Sequence, residues 1–191
     1  MVEEVAGTSA GVNMMDYLAT GTILHLGPSD NLVVDYFRSC VRETIKGGTV
    51  TIGIDRSTVS GGQLRSQTVD CDGGQLHLSA TESGQAGVVA FRGLHAVPSR
   101  TLFGQSPVFE LAGGAGKLVV DRMDKQAPRL EIDVQANELV HGTFYDFATH
   151  DRRLAPGGIY RASIRGRSVT FKISPSARAG ATALAGRLIQ L

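Results

Sequence analysis

The sequence predicts an all-β protein with little helix, divided into two small β domains. Three observations carry this. Glycine accounts for 24 of the 191 residues, where about 13 would be average. These glycines separate short Val/Ile/Leu runs, the habit of chains with many turns. The stretches LEIDV (130–134) and SVTFKI (168–173) alternate apolar and polar residues, which gives a strand one dry and one wet face. Third, the two cysteines, Cys40 and Cys71, enclose β-branched runs punctuated by Gly-Gly pairs.

Composition narrows the function classes. An apolar content of 42% argues for a folded chain. Formal net charge is +1, from 19 basic and 18 acidic residues that are scattered, so nothing recruits nucleic acid or an anionic membrane. No apolar run reaches the length of a membrane-spanning helix. The opening MVEEVAG lacks a basic region followed by an apolar one, so it does not read as a signal peptide. Such a start suits a cytosolic protein or a mature secreted domain.

Taken in order, residues 2–12 supply a short strand and a turn. Residues 22–26 run into Gly27-Pro28-Ser29-Asp30, a turn signal. Residues 32–37 carry apolar groups on both faces, as a largely buried strand does. In 39–46, Val41 and Ile45 stand four apart after Phe37 and before Gly47-Gly48, which suggests one or two helical turns. Strand character returns in 49–54, and 57–69 reads as hairpin material. Further strands are expected at 76–80 and 88–91. Residues 93–107 hold two prolines and two glycines with little periodicity, so the domains are placed at 1–98 and 108–191 with 99–107 as connector. In the second half, 108–111, 117–121, 130–134, 139–144, 159–164, 169–173 and 187–191 each suit a strand. Residues 175–186 read as an Ala/Gly-rich connector with room for one helical turn.

Candidate chemistry is sparse. His141 and His150 are nine apart near Asp146 and Asp151, which is not the close pairing of a metal site. His25 and His77 alternate with leucines and so face away from a core. Ser57, Ser60 and Ser79 lie in no G-x-S-x-G elbow. Asp70 and Asp72 flank Cys71 without the loop pattern of an EF-hand. The glycine doublets have no P-loop lysine. No catalytic residue, metal ligand or cofactor is implied. The richest polar cluster comprises Arg152, Arg153, Arg161, Arg165, Arg167, Lys172, Arg178 and Arg187. In IYRASIRGRSVTFKI (159–173), Tyr160, Ala162 and Ile164 share the core face, Arg165-Gly166-Arg167 turns, and Val169, Phe171 and Ile173 return against the same core. Arg161, Arg165 and Lys172 then share one exposed surface. Two readings stay open for it: an anion-binding face, or a wet sheet face balanced by acids.

Val2, Val5 and Gly7, then Leu18 and Gly21, then Leu32, Val34 and Tyr36 follow an order that resembles the FecR-like domain of bacterial envelope proteins. The opening SPVF at 106–109 and the later LAPGGIYR at 154–161 resemble the immunoglobulin-like sandwiches of bacterial surface proteins. The resemblance implies a FecR-like β domain followed by an immunoglobulin-like β-sandwich, in the periplasm or outside the cell. In an exported chain, Cys40 and Cys71, with no CxxC and no histidine between them, are expected to form a disulfide. The function so implied is a non-catalytic binding or scaffold module, with an envelope protein or an acidic polysaccharide as partner. Two alternatives remain at this point. An envelope enzyme acting on glycan would need two carboxylates facing each other across a cleft. The outer sensing domain of a signalling protein would need a further segment that reaches the cytosol.

Overall fold

A computed structural model describes residues 1–73, 98–180 and 182–191, and the fold among them is all-β. The expected strands at 76–80 and 88–91, and His77, Ser79 and His95, lie outside the described residues. The chain forms two compact units, Met1–Gly73 with Thr182–Gly186, and Gly74–Ala181 with Arg187–Leu191.

The first unit is an antiparallel sheet of β1 (Val2–Ala6), β2 (Ile23–Tyr36), β3 (Val41–Ile52), β4 (Ser57–Ser60) and β5 (Gln63–Thr68). Both β4 and β5 pair with β3, at Thr49–Ile52 and at Val41–Lys46 respectively, so together they act as one long interrupted strand. The interruption has a cause. A Cβ on Gly62 would stand 2.0 Å from the carbonyl oxygen of Gly47, and one on Gly48 would stand 2.5 Å from that of Ser60. Only glycine lets the backbones approach this closely. On the other side of β3, Leu26 pairs with Gly48 and Asn31 with Lys46, so residues 27–30 bulge out opposite Gly47. GPSD is thus a bulge inside a continuous strand rather than its end. The Asp30 carboxylate holds it by accepting the N–H groups of Gly27 at 3.0 Å and Ser9 at 3.3 Å.

Helical turns over 39–46 are not formed; β3 begins at Val41. A spacing of four puts Val41 and Ile45 on one face of a strand as well as of a helix, and cross-strand pairing decides for the strand. The core joins Val2, Leu24, Leu32, Val34, Tyr36, Ile45 and Val50. Cys40, in the turn between β2 and β3, is bonded to Cys71 beyond β5, with Cα atoms 5.6 Å apart. The disulfide expected from the sequence is present.

The second unit is a β-sandwich. One sheet runs β6 (Arg100–Gly104), β12 (Arg167–Arg178), β11 (Ile159–Ile164), β8 (Gly116–Arg122), β9 (Leu130–Val134). The other runs β10 (Phe144–Asp146), β7 (Val108–Glu110), β13 (Leu188–Gln190). Rings from both sheets meet in the core, with Phe109 5.0 Å from Phe147 and 6.2 Å from Phe171. Residues 99–107, read as a connector, contain β6, which pairs in parallel with β12. Flanking prolines disguised its alternation, in which Arg100, Leu102 and Gly104 are buried and Thr101 and Phe103 less so. Of the strand expected at 139–144 only Phe144 belongs to one. Before it lie a 3-10 turn, Ala136–Glu138, and a turn through His141 at φ 51°.

Candidate functional site

The hairpin of β11 and β12 follows its sequence pattern closely. Tyr160, Ala162, Ile164, Phe171 and Ile173 are buried, and Val169 packs against them. Arg165 (φ 49°) and Gly166 (φ 80°) make a two-residue turn with both residues left-handed, the form that matches strand twist. Arg161 therefore lies on the outer face, between Thr170 and Asp121 on the neighbouring strands. Lys172, opposite Ile159 and Thr101, is its diagonal neighbour on that face.

Arg165 is placed differently. Its guanidinium reaches the turn before β8, donating to the carbonyl of Gly113 at 2.6 Å and to that of Ala115. It braces a loop, and the cations left open on the outer face are Arg161 and Lys172. Around them the face carries matched pairs: Lys117 with Glu131 at 2.5 Å, and Arg129 with Asp121 at 2.7 Å. The carboxylate of Glu131 is lowered and the ammonium of Lys117 raised by this pairing. Among the described residues neither Arg161 nor Lys172 carries an ion pair or a side-chain hydrogen bond.

Two of the histidines, His25 and His150, make local contacts. His25 is exposed and meets Thr49 Oγ1 at 3.2 Å. His150 stacks on Tyr145 with centroids 4.5 Å apart, and its Nδ1 is 3.8 Å from Glu138. Among the described residues no three His, Cys, Asp or Glu side chains are grouped to hold a metal ion, and no helix is long and apolar enough to cross a membrane.

Sequence reasoning missed the buried charges. Glu43 stands between Val41 and Ile45 in a core-facing row and is fully buried. Its carboxylate accepts the Ser57 N–H at 2.9 Å and the Ser66 hydroxyl at 3.3 Å, tying β4 and β5 to β3. Asp35, also buried, accepts the Ala185 N–H at 2.9 Å, and burial pushes its carboxyl up. In the sandwich, Arg187 meets Asp146 at 2.6 Å with both side chains shielded from water. Alternation signalled Glu43, as a polar residue at an apolar parity; the others gave no such sign.

A cavity of about 340 Å³ opens in the sandwich, with Leu111, Val169 and Leu191 in its lining beside Arg100, Arg167 and Glu110. Arg100 was hidden in the supposed connector and Arg167 was read as part of a turn. No family model matches the chain, and no curated protein or solved structure does either.

Proposed function

We propose that this chain is a non-catalytic binding or scaffold module of the bacterial cell envelope, working in the periplasm or outside the cell, and that an acidic polysaccharide is its partner. The observation that carries the proposal is the pair Arg161 and Lys172. Two like charges at diagonal positions of a sheet, without counter-charges of their own, repel each other. An anion bridging them removes that repulsion, and an extended acidic chain lying across the strands presents such anions at intervals. The neighbouring Lys117–Glu131 and Arg129–Asp121 pairs are already matched and have less to gain. The Cys40–Cys71 disulfide supports an oxidising compartment, in keeping with the FecR-like and immunoglobulin-like resemblances of the two halves.

Retention on an anionic polysaccharide matrix tests the proposal. Arg161→Ser with Lys172→Ser should elute at markedly lower salt while melting within a few degrees of the parent, since exposed charges contribute only about 0–1 kcal/mol. Arg165→Ser should keep its retention. Unchanged elution of the double variant would remove the reading, and capture of an envelope protein through the same face would replace the polysaccharide with that protein.

A further inference from the structure

Strand β5 (QLRSQT) lies at the margin of the first unit's sheet, and among the described residues it pairs with β3 alone. All six of its residues are exposed. Its pairing fixes which amides are spent. Val41 stands opposite Thr68, and the Val69 N–H donates to the Cys40 carbonyl at 2.9 Å. Hydrogen-bonded pairs recur at every second position of an antiparallel ladder. Gln67, Arg65 and Gln63 therefore bond to β3, and the N–H and C=O groups of Leu64, Ser66 and Thr68 point outward. These three residues have no backbone partner on that side among the described residues. Natural edges are commonly blunted by proline, lysine or a bulge; β5 has none of these.

The two faces of β5 differ. Leu64, opposite the core residue Ile45, is 42% exposed and wants an apolar neighbour. On the other face Arg65 lies opposite Thr44 and diagonal to Arg42 and Lys46. Glu3 meets Arg42 at 2.9 Å, whereas neither Arg65 nor Lys46 has a carboxylate among the described residues. A second copy of the chain fits this edge poorly. Pairing Leu64 with Thr68 of the copy, and Ser66 with its own counterpart, would set the two Arg65 side chains diagonal to each other on an already cationic face.

We propose that the free edge of β5 takes an extended segment of a partner protein as an added strand, and that this segment alternates apolar and acidic side chains. Outward amides of Leu64, Ser66 and Thr68 supply the main-chain bonds, and the two faces select the alternating side chains. The apolar residues lie beside Leu64 and the acidic ones beside Arg65 and Lys46.

Titration of the full chain with the blocked peptide TEVEVEVT, and with its lysine analogue TKVKVKVT, tests the edge. The acidic peptide is expected to bind with a Kd below about 1 mM and the lysine peptide at least about tenfold more weakly. At saturation, amide hydrogen exchange should slow at Leu64, Ser66 and Thr68. Arg65→Glu changes an exposed side chain, so it should melt with the parent and reverse the preference between the two peptides. Leu64→Pro removes an outward donor without touching a bond to β3 and should weaken the acidic peptide by about tenfold or more. Arg161→Ser should leave the titration unchanged, which separates this edge from the polysaccharide face. Equal affinity for the two peptides, no binding up to about 1 mM, or unaltered exchange at the three amides would each overturn the proposal. So would a dimer of the chain alone in sedimentation that Leu64→Pro abolishes, since the edge would then belong to a second copy.

Discussion

Asp146 and Arg187 show how far one residue pair determines the sandwich. The carboxylate also accepts the Ala148 N–H at 2.8 Å, and the guanidinium also donates to the Ser106 carbonyl at 3.2 Å. Removing one partner leaves the other charged, buried and less fully met. Arg187→Ala should therefore lower stability by about 3–5 kcal/mol in denaturant unfolding; a loss below about 1 kcal/mol would mean that water reaches the vacated site. Asp124 gives a pH dependence of known sign. The Arg122 guanidinium, 2.8 Å away, is the main cause that lowers its carboxyl from 3.8 to about 2. A depressed value contributes stability that is fully present above 3.8 and lost as pH falls through about 2. Asp124→Asn should lower the melting temperature at neutral pH, where the pairing contributes in full, and flatten its fall across that window; an identical acid limb would contradict the pairing.

At the scale of elements, the sheet of the first unit depends on glycines facing one another where β3 meets β4 and β5. Gly62→Ala would drive a methyl group into the Gly47 carbonyl, so a loss of more than about 1 kcal/mol is expected. Gly61→Ala has open space around it but a left-handed φ of 69°, so its smaller cost should come from backbone strain alone. Equal losses would mean that the close approach relaxes without consequence. The disulfide closes the same sheet, linking the β2–β3 turn to the end of β5 across a separation of 31 residues. Replacing both cysteines by serine should cost about 3–4 kcal/mol in the chain-entropy account. Intact mass after alkylation without reductant should show no modified thiol in the parent.

Over the whole molecule, the legible parts were those whose alternation is unbroken. LEIDV and the 159–173 hairpin were readable down to the face each side chain occupies, because one wall is dry and the other wet. Strand β6 was obscured by Pro98 and Pro107, and by an arginine at an inward position. The start of β3 was ambiguous because four-residue spacing fits two structures. Arg165 was grouped with Arg161 by parity alone, whereas the left-handed turn directs its guanidinium to the Gly113 and Ala115 carbonyls. Parity assigns faces, but the end of a long side chain goes where its hydrogen bonds take it. The strand inside 99–107 also carries a prediction. Limited proteolysis should leave the bonds of Arg100–Gly104 intact, since Leu102 is fully buried and the strand is hydrogen-bonded to β12; early cleavage there would mean that β6 detaches readily.

The most direct measurement of the central claim is a backbone amide NMR titration with an acidic oligosaccharide at low and at physiological salt. Binding on the outer face should shift resonances around Arg161, Thr170 and Lys172 first, and the shifts should weaken as salt rises. Shifts confined to other strands, or unaffected by salt, would contradict the account.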